Sequence, residues 1–132
     1  TDLVLVILTA ISSGANDTWL RFNSDSGTNY SRTKVASDGS SMTSFRAANQ
    51  NAYYGIGNIG TQWMMSVNHI MDYTNTTTYK TLLTRHGSLS NETAESVGLW
   101  RSTSAITSIE IAPGTSTFIS GSTFTLYGIV AA

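Results

Sequence analysis

The final stretch of the chain, residues 122–130, combines aromatic and β-branched side chains in the manner of a β-strand. One face of the strand carries Phe124, Leu126 and Gly128, and the opposite face carries Thr125, Tyr127 and Ile129. Because an open edge of such apolar character invites aggregation, we expect this strand to be paired on both sides or covered by a neighbour. The pattern therefore predicts a strand in the middle of a sheet or at a subunit contact.

The opening stretch, residues 2–11, is apolar on both faces and predicts a second strand that lies centrally in its sheet. It is too short to cross a membrane as a helix. It also lacks the basic start and the small-residue cleavage site of a signal peptide. Since the hydrophobic run begins at the second residue, we expect either this central position or further residues before Thr1 in the gene product.

Shorter alternating segments predict further strands, at residues 18–23, 30–36, 62–73, 79–84, 95–101 and 105–112. In the first of these we expect Leu20 and Phe22 to point inward. Ile70 breaks the alternation of its segment and predicts a bulge. Residues 42–62 have the least periodicity, so we interpret them as irregular with at most one strand. The pattern predicts one all-β domain over residues 1–132, an antiparallel sandwich or barrel of about seven or eight strands.

Composition narrows the function classes. Charged residues make up 11% of the 132 residues, the net charge is −1, and there is no cysteine. This balance gives no electrostatic basis for binding nucleic acid or an anionic membrane. The absence of cysteine excludes disulfides and thiolate chemistry. A nearly neutral small domain tends to associate, so we expect an oligomer or a component of a larger assembly at micromolar concentration.

Two loops resemble ligand motifs. Residues 55–60 fit G-x-G-x-x-G, but a strand is predicted after them where a dinucleotide site needs a helix, so we interpret them as a glycine-rich loop. Asn23, Asp25 and Asn29 place side-chain oxygens around Gly27, which is reminiscent of a calcium loop. No bidentate glutamate follows in that loop, and an Asx-type turn explains the same residues.

Catalytic patterns are poorly represented. His69 and His86 are the two histidines, too few for a zinc site without cysteine, and His69 is better explained as a hydrogen-bonded core or interface residue. The acids are scattered, and no G-x-S-x-G elbow occurs. We therefore predict neither a catalytic residue nor a cofactor.

Aromatic residues are the remaining candidates for a site. Those we single out as interface or ligand aromatics are Tyr53, Tyr54, Trp63, Trp100 and Tyr127. Together with Trp19 and Tyr30, several of them suit a platform on which a sugar stacks. Aromatics also dominate cores and subunit interfaces, and we favour that explanation over a sugar site.

Four segments, in this order along the chain, resemble a family of structural proteins of tailed bacteriophages. They are residues 1–6 (TDLVLV), 20–31 (LRFNSDSGTNYS), 98–109 (GLWRSTSAITSI) and 121–129 (GSTFTLYGI). The resemblance implies a virion protein with a jelly-roll-like β-sandwich and a homotrimeric state. It also implies residues before Thr1, and it brings no catalytic residue.

Such sandwiches serve as capsid decoration (cement) proteins, as tail-fibre modules and as adhesins, and the fold does not choose among them. We expect a decoration protein first, whose partners are the major capsid protein or other virion proteins, because a charge-poor surface rich in Ser and Thr suits large neutral contacts. The alternative is a tail-fibre or host-adhesion module that binds a cell-surface carbohydrate through Trp63, Trp100, Tyr53 or Tyr54. A glycan-cleaving enzyme comes third, and it requires two acids that converge in a groove.

Overall fold

The computed structural model describes residues 1–14, 16–89 and 92–130. Every regular element in this part of the chain is a strand. The strands are β1 (Asp2–Thr9), β2 (Asn16–Asp17), β3 (Trp19–Phe22), β4 (Tyr30–Ser37), β5 (Met42–Gln50), β6 (Asn58–Ile59), β7 (Met64–Ile70), β8 (Lys80–Ser88), β9 (Thr93–Trp100), β10 (Ile109–Ala112) and β11 (Thr123–Ile129). The all-β class predicted from the sequence is confirmed.

Seven strands form the main sheet, in the order β11-β1-β7-β8-β9-β4-β5, and every neighbouring pair is antiparallel. β1 pairs with β7 on one side and with β11 on the other, which confirms the central position predicted for the opening stretch. Leu3, Leu5 and Ile7 of β1 are buried. The alternate residues of β1 lie on the opposite face of the sheet, where they are more exposed.

The second layer is a two-stranded sheet of β3 and β10, which packs on one face of the main sheet. Leu20 and Phe22 are fully buried in the core between the layers, which confirms their predicted inward direction. Ile109 and Ile111 pack against the same core from β10. The molecule is therefore an antiparallel, jelly-roll-like β-sandwich with two layers of very unequal width.

An aromatic cluster closes one end of this core. The Phe22 ring lies 5.4 Å from the Trp100 ring and 6.5 Å from the Tyr30 ring, measured between centroids. Tyr30 and Trp100 are stacked at 6.3 Å. Burial raises the pKa of the Tyr30 phenol to about 12, so its hydroxyl stays protonated; this hydroxyl accepts a hydrogen bond from the Phe22 amide.

The centre of the core contains a buried polar network around Tyr53. Its hydroxyl lies 3.0 Å from Thr84 Oγ1 and 2.8 Å from Ser96 Oγ. Thr84 donates to Asn68 Oδ1 at 2.9 Å, and Asn68 donates to the carbonyl oxygen of Leu5 at 3.2 Å. These bonds link four neighbouring strands to the loop that carries Tyr53, and they satisfy polar groups that would otherwise be costly to bury.

Three predictions about strands are wrong. β11 is an outer strand and not a middle one, and within the described part of the chain it pairs only with β1, so the first of its two predicted positions is wrong and the subunit contact stays a prediction. Residues 42–62 contain the nine-residue β5 and the short β6. The pairing of β7 stays in register through Ile70, so no bulge occurs there, and Ile70 is simply the last residue of the buried face.

Candidate interaction surface

The face of the main sheet that points away from the second layer is lined with apolar side chains. We call it the open face and define it by Val4, Val6, Leu8, Val35, Met65, Val67, Leu83, Val97 and Tyr127. The exposed fractions of Val67, Leu83 and Val97 are 40%, 42% and 49%. These residues come from adjacent strands, so they form one surface instead of scattered exposed positions, and such contiguous apolar patches mark interaction sites.

The strand register aligns the open face in rows. One row runs from Val6 through Val67 to Arg85 and Glu95 and ends at Val35. The next row carries Val4, His69, Leu83, Val97 and Thr33. In both rows, side chains that lie directly opposite each other on neighbouring strands are close together. Between the rows the surface forms a shallow concavity of about 800 Å³.

Two pairs of ionisable side chains lie on the open face. Arg85 Nη2 lies 2.6 Å from Glu95 Oε1, and both side chains are exposed. His69 Nε2 lies 2.7 Å from Asp2 Oδ2. The backbone amide of Asp72 and the hydrogen bond with His69 hold the pKa of the Asp2 carboxyl below its usual value. Exposed pairs of this kind contribute little to the stability of the fold.

A second concavity, of about 870 Å³, lies beside the end of the open face. Trp63, Met65 and Leu89 give it an apolar lining, and Asp38 and Glu92 border it. The Asp38 carboxylate accepts hydrogen bonds from the amides of Ser40 and Ser41, which lower its pKa. Asp38 therefore closes its own turn, and Trp63 is the one aromatic side chain of this lining.

Beneath this region, Glu92 connects a lysine and a buried histidine. Lys34 Nζ donates to Glu92 Oε1 at 2.7 Å, and His86 Nε2 lies 3.1 Å from the same oxygen. Burial raises the pKa of the Glu92 carboxyl, but the bonds from Lys34 and His86 outweigh it and lower the pKa overall. Burial lowers the pKa of the His86 imidazole, against the opposing effect of Glu92. The cluster joins β4, β8 and the segment before β9.

The residues of the predicted calcium loop are engaged in protein hydrogen bonds. Asn23 Oδ1 accepts from the amides of Thr107 and Ser108. Asp25 Oδ2 accepts from Trp100 Nε1 at 2.7 Å and from Asn29 Nδ2 at 2.9 Å. Burial raises the pKa of the Asp25 carboxyl, but these bonds outweigh it and lower the pKa. Asp25 Oδ1 also accepts from the Gly27 amide at 2.8 Å, which is the bond of an Asx-type turn, and the loop fastens the aromatic cluster to the second layer.

Two of the five aromatics predicted for an interface or ligand are core residues. The exposed fractions of Tyr53 and Trp100 are 1% and 2%, so neither reaches a partner or a sugar, and the prediction is corrected for both. Tyr53 lies against the glycines at 55 and 98, where a built Cβ atom would be 2.2 and 2.3 Å from its ring. Both glycines are needed for packing, and Gly55 is the first residue of the glycine-rich loop at residues 55–60.

The other three aromatics reach the surface at separate places. Tyr127 is 55% exposed and belongs to the open face. Tyr54 donates from its hydroxyl to Asn51 Oδ1 and lies 5.9 Å from the Arg32 guanidinium. Trp63 lines the second concavity. The structure therefore does not bring the five residues together into one platform.

Of the residues that define the open face, sequence reasoning singled out Tyr127 and missed the aliphatic ones and Met65. The adjacent pair Leu82 and Leu83 gave a signal, since neighbouring strand residues point to opposite faces and both are apolar. The same signal occurs at Met64 and Met65. Apolar residues on both faces of a strand are typical of strands that are covered on both faces.

No family model, curated protein or solved structure matches this chain. Within the described residues, no group of three or more His, Asp or Glu side chains is placed to hold a metal ion. The same residues contain no helix long and apolar enough to span a bilayer.

Proposed function

We propose that this chain is a non-enzymatic structural protein of a phage virion, and most specifically a capsid decoration protein that uses the open face as its contact surface. The observation that carries this proposal is the contiguous apolar surface formed by β1, β7, β8, β9 and β4. The four segments that resemble phage structural proteins support the virion setting.

A partner that covers the open face gains binding free energy, because apolar surface is removed from water. Burial of apolar surface contributes about 25 cal/mol for each Å² removed from water. Val67, Leu83 and Val97 still expose 40–49% of their surface in the isolated chain, so this contribution remains available to a partner. Arg85 and Glu95 carry opposite charges that offset each other, and the Asp2 carboxylate is hydrogen-bonded to His69.

A decoration protein stabilises a shell because it binds assembled subunits and not separate ones. A ligand of this kind shifts the assembly equilibrium by mass action, and its effect grows with concentration over the dissociation constant. A broad face that spans neighbouring subunits performs this role without a catalytic cleft. The partner we propose is therefore the major capsid protein, and the location is the virion.

The experiment is binding to phage heads that lack this protein, measured by co-sedimentation. We expect Leu83→Lys, which places an unpaired cation within the open face, to weaken binding by at least about tenfold. Ser26→Lys is the matched control, because Ser26 is exposed in the loop between β3 and β4 and the change in charge is the same. Equal binding by the two variants would contradict the proposed contact surface.

A second candidate function is a tail-fibre or host-adhesion module that binds a carbohydrate. Trp63 favours it, since its ring lines a concavity of about 870 Å³ that has polar residues at its border. Sugars stack on such rings. A glycan array tests this directly: a specific signal that disappears in Trp63→Ala and persists in Tyr54→Ala would support adhesion and count against decoration.

A further inference from the structure

β11 leaves one side of its backbone unpaired at the edge of the main sheet. Within the described part of the chain its partner is β1 alone, so a row of N–H and C=O groups points outward along seven residues, a length of about 24 Å. Natural edge strands are usually protected by charged residues, proline or a bulge. β11 contains no charged residue and no proline, and its pairing with β1 has no bulge. Such an edge is prepared to accept another strand.

We propose that this edge pairs, antiparallel, with the β11 of a second copy of the same chain, about a two-fold axis that passes through Leu126. In this register Leu126 lies opposite Leu126 of the second copy. Thr125 lies opposite Tyr127 of the second copy, and Phe124 lies opposite its Gly128. Every opposed pair then combines side chains that suit cross-strand contact, namely aliphatic with aliphatic, threonine with tyrosine, and aromatic with glycine.

Gly128 gives the most specific support for this register. A Cβ atom built on Gly128 has no heavy atom within 4 Å, so the space over this residue is open. The Phe124 ring, which is 40% exposed and contacts the Phe118 ring at 4.9 Å, lies on the same face of β11. Pairing would place Phe124 of one copy across from the open position of the other. An aromatic ring opposite an edge glycine is a known way to pin strand register.

The absence of charged residues from β11 explains why this edge, and not the edge at β5, pairs with a second copy of the chain. In a two-fold antiparallel pairing, the residue at the axis lies opposite its own copy, so a charge at the middle of the edge is repelled by the same charge. β11 is neutral throughout, whereas the other edge strand, β5, carries Arg46 at its middle. Asn49, near the end of β5, also has a left-handed φ of 56°, which interrupts a regular edge. β5 is therefore unsuited to the same pairing.

A two-fold axis between antiparallel edge strands stands perpendicular to the sheet. Both copies then keep their open faces on the same side, and the pair presents one wider apolar surface. The inference does not depend on the proposed function, since it concerns a different contact. We infer a pair as the basic state, in place of the homotrimer that the family resemblance implies. An edge contact is smaller than the usual interface of about 1,600 Å² in total, so we expect association in the micromolar range.

The first experiment is sedimentation of the full chain from nanomolar to near-millimolar concentration. We expect a monomer that converts to a dimer in the wild type. Leu126→Lys and Leu126→Glu should each weaken dimerisation by at least about tenfold, because like charges face each other at the axis. An equimolar mixture of the two variants should restore it. Ser44→Lys on β5 is the control and should leave it unchanged.

A second experiment keeps the inference testable if a charged variant fails to fold. The chain has no cysteine, so Leu126→Cys introduces a single thiol. Opposed residues of antiparallel strands have Cα atoms about 4.5–5.5 Å apart, which a disulfide spans. We expect rapid covalent dimers on oxidation with copper phenanthroline, and none with Ser44→Cys. A monomer at every concentration, a trimer, an unchanged dissociation constant in the charged variants, or equal cross-linking at both positions would overturn the inference.

Discussion

On β7 the buried face carries Ser66 and Asn68 between Met64 and Ile70, whereas the open face carries Met65 and Val67. β8 and β9 repeat this contrast. Their buried faces include Thr84, His86 and Ser96, and their open faces include Leu83 and Val97. The main sheet thus places many polar side chains inside and many apolar ones outside. We expect this distribution in a sheet whose two faces are both covered, one by the second layer of the same chain and the other by a partner.

The buried face tolerates these polar residues because each makes at least one hydrogen bond, although His86 Nδ1 is left without a partner among the described residues. The small side chains of β8 and β9 leave room for the Tyr53 ring, and the network around its hydroxyl satisfies Thr84, Ser96 and Asn68. The open face has no such network in the isolated chain. The two faces should therefore respond very differently to mutation when the isolated chain is studied.

The adjacent residues Leu82 and Leu83 give the sharpest test of this difference. Leu82 is fully buried in the core, and Leu83 is 42% exposed on the open face. We expect Leu82→Ala to lower the free energy of unfolding by about 2–5 kcal/mol, because it leaves a cavity. Leu83→Ala should cost less than about 1 kcal/mol. Chemical denaturation of both variants gives the comparison, and similar losses would mean that the open face is already covered.

Gly98 tests how tightly the buried face is packed. A Cβ atom at Gly98 would lie 2.3 Å from the Tyr53 ring, so Gly98→Ala should destabilise the fold by about 1–3 kcal/mol through overpacking. Gly87 is the matched control in the neighbouring strand, where the nearest atom to a built Cβ is 3.9 Å away. Thermal and chemical unfolding measure both. Equal stability of the two variants would contradict the close contact with Tyr53.

Removing the Tyr53 hydroxyl tests the polar network without changing the ring. Tyr53→Phe leaves Thr84 and Ser96 short of one partner in a buried site, so we expect a loss of about 1–2 kcal/mol. Tyr54→Phe removes an exposed hydroxyl that donates to Asn51, and its effect should stay within about 0.5 kcal/mol. A neutral Tyr53→Phe would show that the network adds no net stability.

The smallest effect we predict is a pH dependence from His86. Burial lowers its pKa in the folded state, so the unfolded chain binds more protons in mildly acidic solution. The stability contributed by neutral His86 is complete above the unfolded pKa of about 6.5 and is lost as the pH falls toward the folded pKa. His86→Gln should make the free energy of unfolding less dependent on pH below about 6.5, by under about 1 kcal/mol. An identical pH profile of the free energy of unfolding in the variant would show that His86 does not contribute to the pH dependence.

Much of the fold was predictable from the local sequence pattern, and the wrong predictions have physical causes. β1 was identified because it is a short run that is apolar on both faces, and β3 because its apolar residues alternate with the sheet period. β5 was missed because nearly all of its residues are exposed, so no face of it carries an apolar pattern. β11 was predicted in the middle of a sheet or at a subunit contact because its composition is that of a covered strand, and in the isolated chain it lies at the edge of the sheet.

The candidate surface was less predictable than the fold. Tyr53 and Trp100 were proposed as interface or ligand residues because aromatics favour both cores and interfaces, and composition cannot separate the two. Lys80 is a residue whose burial could not be predicted from its type, because a lysine is usually exposed. In the structure Lys80 is buried, and its Nζ lies 3.0 Å from the Thr78 carbonyl oxygen. Which face of a strand is covered depends on chain segments that lie far away in sequence.

The most direct test of the central claim is a reconstruction of the virion that contains this chain. The account predicts that the chain lies on the capsid shell, with Val67 and Leu83 of its open face packed against major capsid protein subunits. Density on the tail fibres, or on the capsid with the open face turned toward solvent, would contradict it.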